Sequence, residues 1–122
     1  MELLHGPSGA KLKTAAPVDN QGDGSSFSPT DLVAAGLGAC MLTLIAIVGE
    51  RDGLDLSGLR FRGEKHMTGP PRRIEKVDLV IGMPAGLSKV QRGKLEKAAL
   101  TCPVKNTLSE QVQTPVFFEY PD

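Results

Sequence analysis

Seventeen consecutive residues, Leu32 to Val48, carry no charge, and Thr43 is the only hydroxyl among them. Ser28-Pro29-Thr30-Asp31 precedes this run. Ser28 can cap a helix, Pro29 suits a first helical position, and Asp31 stands where a capping-box carboxylate reaches back. Gly53 follows the run, where a left-handed residue often stops a helix. The pattern predicts a helix from Pro29 to about Arg51. A helix that is apolar all round must be buried all round. A sheet from one small domain covers one face, so the pattern predicts a second subunit over the others. Ala34, Ala35, Gly36, Gly38 and Ala39 would let another backbone approach closely. Helix propensity does not explain the glycines, since Gly costs about 1 kcal/mol relative to Ala.

Downstream the period changes. From Ser57 to Met67, Leu59, Phe61 and Met67 alternate with Arg60, Arg62, Glu64 and His66. Gly69-Pro70-Pro71 reads as a turn. Val77, Leu79, Ile81 and Met83 then share one side of a second strand from Ile74, giving an antiparallel hairpin with one wet face. On that face His66 reads as a surface residue. Ser88 with Gln91 opens a helix to about Thr101. Leu87, Val90, Leu95, Ala98, Ala99 and Cys102 fall near one side of it. Cys102-Pro103 interrupts this helix, and a short one restarts at Pro103 toward Glu110. Thr114 to Tyr120 alternates again, with Pro115 placing it at a sheet edge or strand start. Before residue 28 a short strand around Leu12, within Ala10 to Ala16, is followed by a polar loop.

Composition narrows the function. The chain has 122 residues, enough for one domain over residues 1–122. Its 14 basic and 14 acidic residues cancel, which argues against nucleic-acid and anionic-membrane partners. It has no Trp and few aromatics, so base-stacking platforms are not expected. The uncharged run is at the short limit of a membrane span, which needs about 20 residues, and polar sequence flanks it. No secretory leader is recognisable, which predicts a cytoplasmic protein. His5 and His66 are the only histidines and sit in no Cys/His cluster, so no metal site is expected.

The two cysteines are the candidate chemistry. Cys102 would cap the helix beginning at Pro103, whose free N–H groups favour a thiolate, with Lys105 adding positive charge. Cys40 lies mid-helix in an apolar stretch, which by itself raises a thiol pKa. On these grounds Cys102 is the readier thiolate, and Cys40 reads as a small core residue.

Taken together, Ser28 to Cys40 and Ala98-Ala99-Leu100-Thr101-Cys102-Pro103-Val104-Lys105-Asn106-Thr107-Leu108 resemble the two signatures of the OsmC/Ohr family of osmotically inducible and organic-hydroperoxide-resistance proteins. The resemblance spans about residues 14–120. It implies an α+β fold, an intertwined homodimer with antiparallel sheets packed around long central helices. It implies that Cys40 and Cys102 meet near the dimer interface. The implied activity is thiol-dependent reduction of organic hydroperoxides, with hydrogen peroxide a further substrate. Cys40 would be the attacking thiolate and Cys102 the resolving one. An external dithiol would restore both, and neither metal nor organic cofactor is needed. The chain departs from the family in two places. Thr30 stands ten positions before Cys40, where well-studied members carry Glu, and no Arg precedes Arg51. The cation that would activate Cys40 is thus open among Lys11, Lys13 and Arg51, with Arg60, Arg62, Arg72 or Arg73 as candidates entering from the partner chain. The alternative function is a non-catalytic protein of the same fold holding a small lipophilic ligand in an apolar dimer pocket.

Overall fold

The computed structural model describes residues 1–122 and divides into two compact units, Met1–Val33 and Ala34–Asp122. In the first unit, strands β1 (Glu2–Leu4) and β2 (Lys11–Lys13) form an antiparallel hairpin, with Glu2 opposite Lys13 and Leu4 opposite Lys11. The terminal amino group donates to the Thr14 carbonyl at 2.9 Å and closes its open end. The sequence pattern gave a strand near Leu12 but not its partner. Three residues on each side are too few to show a period.

Helix α1 runs from Pro29 to Arg51, and its start is the predicted capping box. The Asp31 N–H donates to Ser28 Oγ at 3.0 Å, and the Ser28 N–H donates to the Asp31 carboxylate at 2.9 Å. Two N–H groups without helical partners are satisfied this way, a contribution of about 1 kcal/mol. Gly53 ends the helix at φ +69°, a left-handed conformation that glycine adopts without a Cβ penalty.

In the second unit, β3 (Arg60–Thr68), β4 (Arg73–Gly82) and β5 (Val116–Glu119) form a three-stranded sheet in the order β3-β4-β5. The β3–β4 pair is antiparallel, with Phe61 opposite Ile81 and Gly63 opposite Leu79. The β4–β5 pair is parallel, with Val116 beside Leu79 and Phe118 beside Ile81, so the sheet is mixed rather than wholly antiparallel. The chain must travel through two helices to reach β5, and that length of connection permits a parallel return. Pro115 lies just before the strand and its carbonyl accepts from Leu79 N–H, so its missing donor costs nothing.

The core joins α1 to this sheet. Ala34, Leu37, Met41 and Ile45 are buried in one cluster with Val77, Leu79, Ile81 and Met83. These α1 positions recur every three or four residues and make one stripe. The opposite stripe stays open: Ala39, Thr43 and Ile47 are exposed, Ile47 at 48%. By length and composition α1 could cross a membrane. Its buried stripe instead serves as the core element of a helix-on-sheet layer.

Gly38 has a reason within the chain itself. A Cβ built there would lie 2.2 Å from the Phe61 ring, so the aromatic ring of β3 rests directly on the helix backbone. Gly36, by contrast, faces nothing within 4 Å. The small residues therefore divide: Gly38 serves the chain's own sheet, Gly36 has free space beside it, and Ala39 is exposed.

Helix α2 spans Lys89–Leu100 and begins with the predicted Ser88–Gln91 capping box. Leu95 and Ala99 are buried, but Val90 is 80% exposed, contrary to the expected apolar face. The expectation joined Leu87 to Val90 by helical spacing. Leu87 precedes the extended cap residue Ser88, so that spacing is not helical. Helix α3, Pro103–Thr107, stops earlier than Glu110. Leu108 turns extended, and Ser109 Oγ accepts from Gln111 N–H at 3.1 Å, a local bond that competes with helix continuation.

These contacts predict opposite outcomes for two Gly→Ala changes. Gly38→Ala should lower stability by about 1–3 kcal/mol, because Phe61 must shift by more than side-chain flexing allows. Gly93→Ala, mid-helix with nothing within 4 Å of its new Cβ, should raise stability by about 0.5–1 kcal/mol. Thermal unfolding of both variants checks the signs. Equal shifts would mean that Phe61 does not rest on the helix backbone.

Candidate active site

Cys40 stands on the flank of α1, between the buried Leu37–Met41 stripe and the exposed Ala39–Thr43 stripe, and is half-buried. Cys102 is fully buried at the joint between α2 and α3. The joint follows from local sequence. Pro103 cannot donate to a continuing helix, and Cys102 becomes the N-cap of α3. Its Sγ accepts from the Lys105 N–H at 3.4 Å. Its S–H points at the Leu37 carbonyl, 4.0 Å away, one turn before Cys40 on α1. The two thiols lie near enough for Cys40 to act on the Cys102 proton. A helix-to-sheet core thus brings together two sulfurs 62 positions apart in sequence.

The electrostatics oppose the expectation that Cys102 is an activated thiolate. Burial pushes the Cys102 thiol above its ordinary value, and the neighbouring Cys40 adds to the rise. The Lys105 and Val104 N–H groups act the other way and lose. Cys102 is a neutral thiol at neutral pH. The expectation counted the helix N-terminus and left out desolvation, which the sequence around Cys102 does not reveal. Solvent reaches only Cys40.

Two of the candidate cations can be placed relative to their own chain's helix. Phe61 and Gly63 face the helix side of the sheet, so Arg60 and Arg62, which alternate with them, point away from α1. Arg60 lies over Gly82, and Arg62 is 3.6 Å from Glu119. His66 is not a bare surface residue. It is half-buried on the outer face and 2.7 Å from Asp78, which Lys76 also approaches at 3.6 Å. No group of three or more His, Cys, Asp or Glu side chains is arranged to hold a metal ion.

One polar cluster was not legible in the sequence. The Tyr120 hydroxyl donates to Glu96, and the Arg92 guanidinium lies 4.1 Å from the centre of the Tyr120 ring and 3.2 Å from Asp122. Burial and the Glu96 carboxylate together hold the Tyr120 hydroxyl in its neutral form well above the ordinary range. The spacing of Arg92 and Glu96 on one helix face was visible, but their partner lies 24 residues beyond Glu96 in sequence. The cluster ties the end of β5 to α2, the helix that leads into Cys102.

Comparison with known proteins gives the same picture. The family model for OsmC-like proteins matches residues 22–116. A crystal structure from Psychrobacter arcticus 273-4, described as an osmotic stress induced and detoxification response protein, is similar with TM-score 0.89 and 36% identity. That match covers 95% of this chain and 85% of the other. An organic hydroperoxide resistance protein OsmC from Legionella pneumophila shares the fold with TM-score 0.73 at 24% identity, covering 98% and 95% of the two chains. An organic hydroperoxide resistance protein from Vibrio cholerae, with captopril bound in one of its active sites, shares it with TM-score 0.71 at 20% identity, covering 89% and 76%. No curated protein matches the sequence.

The buried thiol predicts an alkaline instability. The folded chain holds the Cys102 proton more tightly than the unfolded chain does, so raising the pH past the ordinary thiol value of 9.0 favours unfolding. Stability should be complete below that pH and fall above it. Tyr120 should add a second decline beyond its ordinary value of 10.0. Urea unfolding from pH 8 to 11 should show the first decline flattened in Cys102→Ala and the second in Tyr120→Phe. An unaltered slope in Cys102→Ala would show that burial does not protect the thiol proton.

Proposed function

Because the chain belongs to the OsmC-like family, we propose that it is a thiol-dependent peroxidase that reduces organic hydroperoxides through Cys40 and Cys102. The observation that carries this reading is the adjacency of one accessible and one buried thiol on two separate elements. Organic hydroperoxide resistance is the property named for the Legionella and Vibrio proteins of the same fold.

The roles follow from access and charge. Cys40, which solvent reaches, attacks the terminal peroxide oxygen as a thiolate. The O–O bond breaks, an alcohol leaves after taking a proton, and Cys40 becomes a sulfenic acid. The Cys102 thiol then attacks the Cys40 sulfur, the S–O bond breaks, and water departs. Burial suits Cys102 for this second step, because it keeps the thiol from competing for the peroxide, and its proton leaves with the sulfenic oxygen as water. An external dithiol reduces the disulfide and leaves as its own disulfide. Neither a metal nor an organic cofactor takes part, and the chain works as a single domain in the cytoplasm.

The working form is a homodimer in this reading. One stripe of α1 is buried in the chain's own core, while the stripe of Ala39, Thr43 and Ile47 remains open. An uncharged helix with a wet apolar face calls for a second copy to cover it.

Two measurements test these statements. Stoichiometric organic hydroperoxide should consume both free thiols of each chain and join Cys40 to Cys102. Cys40→Ser should cut peroxide consumption by at least about 1,000-fold, while Cys102→Ser should stop at the sulfenic acid after one turnover. Two free thiols after treatment would end the peroxidase reading. In light scattering the wild type should be a dimer. Ile47→Glu, placing a charge on the open stripe, should weaken association by about 100-fold or more, since an unpaired buried charge costs several kcal/mol. A dimer unaffected by that change would move the interface elsewhere.

A further inference from the structure

The redox cycle leaves open which sulfur of the oxidised pair meets the reductant. We propose that the external thiol attacks Cys40 and expels Cys102, so that the mixed disulfide always forms on α1. This inference rests on the Cys40–Cys102 pairing proposed above.

Thiol–disulfide exchange requires the incoming sulfur to reach one sulfur of the bond while the other departs. Cys102 offers no approach. It is fully buried, and the Lys105 N–H, the Leu37 carbonyl and the Cys40 thiol already surround its sulfur. Its core neighbours Leu95 and Ala99 are fully buried as well. Attack there would need the α2–α3 joint to unfold. Cys40 offers an approach, because it is half-buried on the flank of α1, outside the enclosed core and beside rather than on the open stripe.

The same surroundings fit Cys102 as the leaving group. When the external thiolate bonds to Cys40, the electron pair of the disulfide passes to Cys102. The Lys105 N–H at 3.4 Å is already aimed at that sulfur and receives the new charge. The proton lost by the incoming thiol then returns to Cys102, whose S–H turns again to the Leu37 carbonyl. With a dithiol, the second sulfur attacks the first, closes a ring, and expels Cys40 as a thiolate. Each turn thus consumes one dithiol and returns two protein thiols. Buried Cys102 needs no contact with any molecule other than its own chain, and all outside chemistry passes through Cys40.

The experiment separates this inference from the peroxidase reading by forming the disulfide with diamide, which needs no peroxide. The oxidised protein is mixed with glutathione for seconds, quenched with acid, alkylated and mapped by peptide mass. The expected product carries glutathione on Cys40 and the alkyl group on Cys102, in at least about tenfold excess over the reverse product. An adduct mainly on Cys102, an even split, or no disulfide after diamide would each overturn the inference. A disulfide formed by diamide but not by hydroperoxide would sink the peroxidase reading alone, and the adduct position would still be measured. The single variants give an independent check with glutathione disulfide as the donor. Cys102→Ser should accept glutathione at least about tenfold faster than Cys40→Ser, and equal rates would overturn the inference.

Discussion

Burial of one stripe of α1 against the central strand β4 is the contact on which the rest depends. Leu37, Met41 and Ile45 leave water together with Val77, Leu79 and Ile81. Each such side chain contributes on the order of 1.5–3 kcal/mol when fully buried. The rotation that sinks Leu37 and Met41 into the core leaves Cys40 on the flank, turned by about 100° per residue along the helix. Gly38 lets the Phe61 ring settle on the same turn. Cys40 is thus placed beside the core without being inside it.

The second sulfur is placed by different means. Helix α2 carries its own start signal and buries Leu95 and Ala99. Pro103 then forces a break, and the break delivers Cys102 to the Leu37 carbonyl. Arg92, Glu96 and Tyr120 fasten α2 to the end of β5, so sheet and helix hold the joint from both sides. The result is an asymmetric pair. One thiol is turned toward solvent and the other is sealed, and the sealed one has its thiolate disfavoured by desolvation. That asymmetry divides the chemistry into an outward step and an inward step.

The uncovered side of α1 has a further consequence for the whole molecule. A seventeen-residue run without charge is more apolar surface than one three-stranded sheet can cover. A charge-free open stripe containing Ile47 is costly to leave in water, and a twofold partner offers the same stripe in return. The proposed dimer and the proposed site therefore share one helix: its buried side positions the thiols and its open side meets the second copy.

Much of this was legible in the amino-acid order because it depends on near neighbours. The Ser28–Asp31 and Ser88–Gln91 caps, the stop at Gly53, the break at Cys102-Pro103 and the alternation of Val77, Leu79, Ile81 and Met83 are all set within a few residues, by hydrogen-bond geometry and period. The two signatures around Cys40 and Cys102 are likewise each a contiguous stretch of sequence. What lay beyond reach was decided across the fold. The parallel seating of β5, the pairing of Tyr120 with Glu96, and the exposure of Val90 each depend on where distant segments come to rest. So does the protonation of Cys102. Sequence displays the N–H groups ahead of Cys102, but desolvation is the sum of everything packed around a sulfur, and only the folded chain supplies that sum.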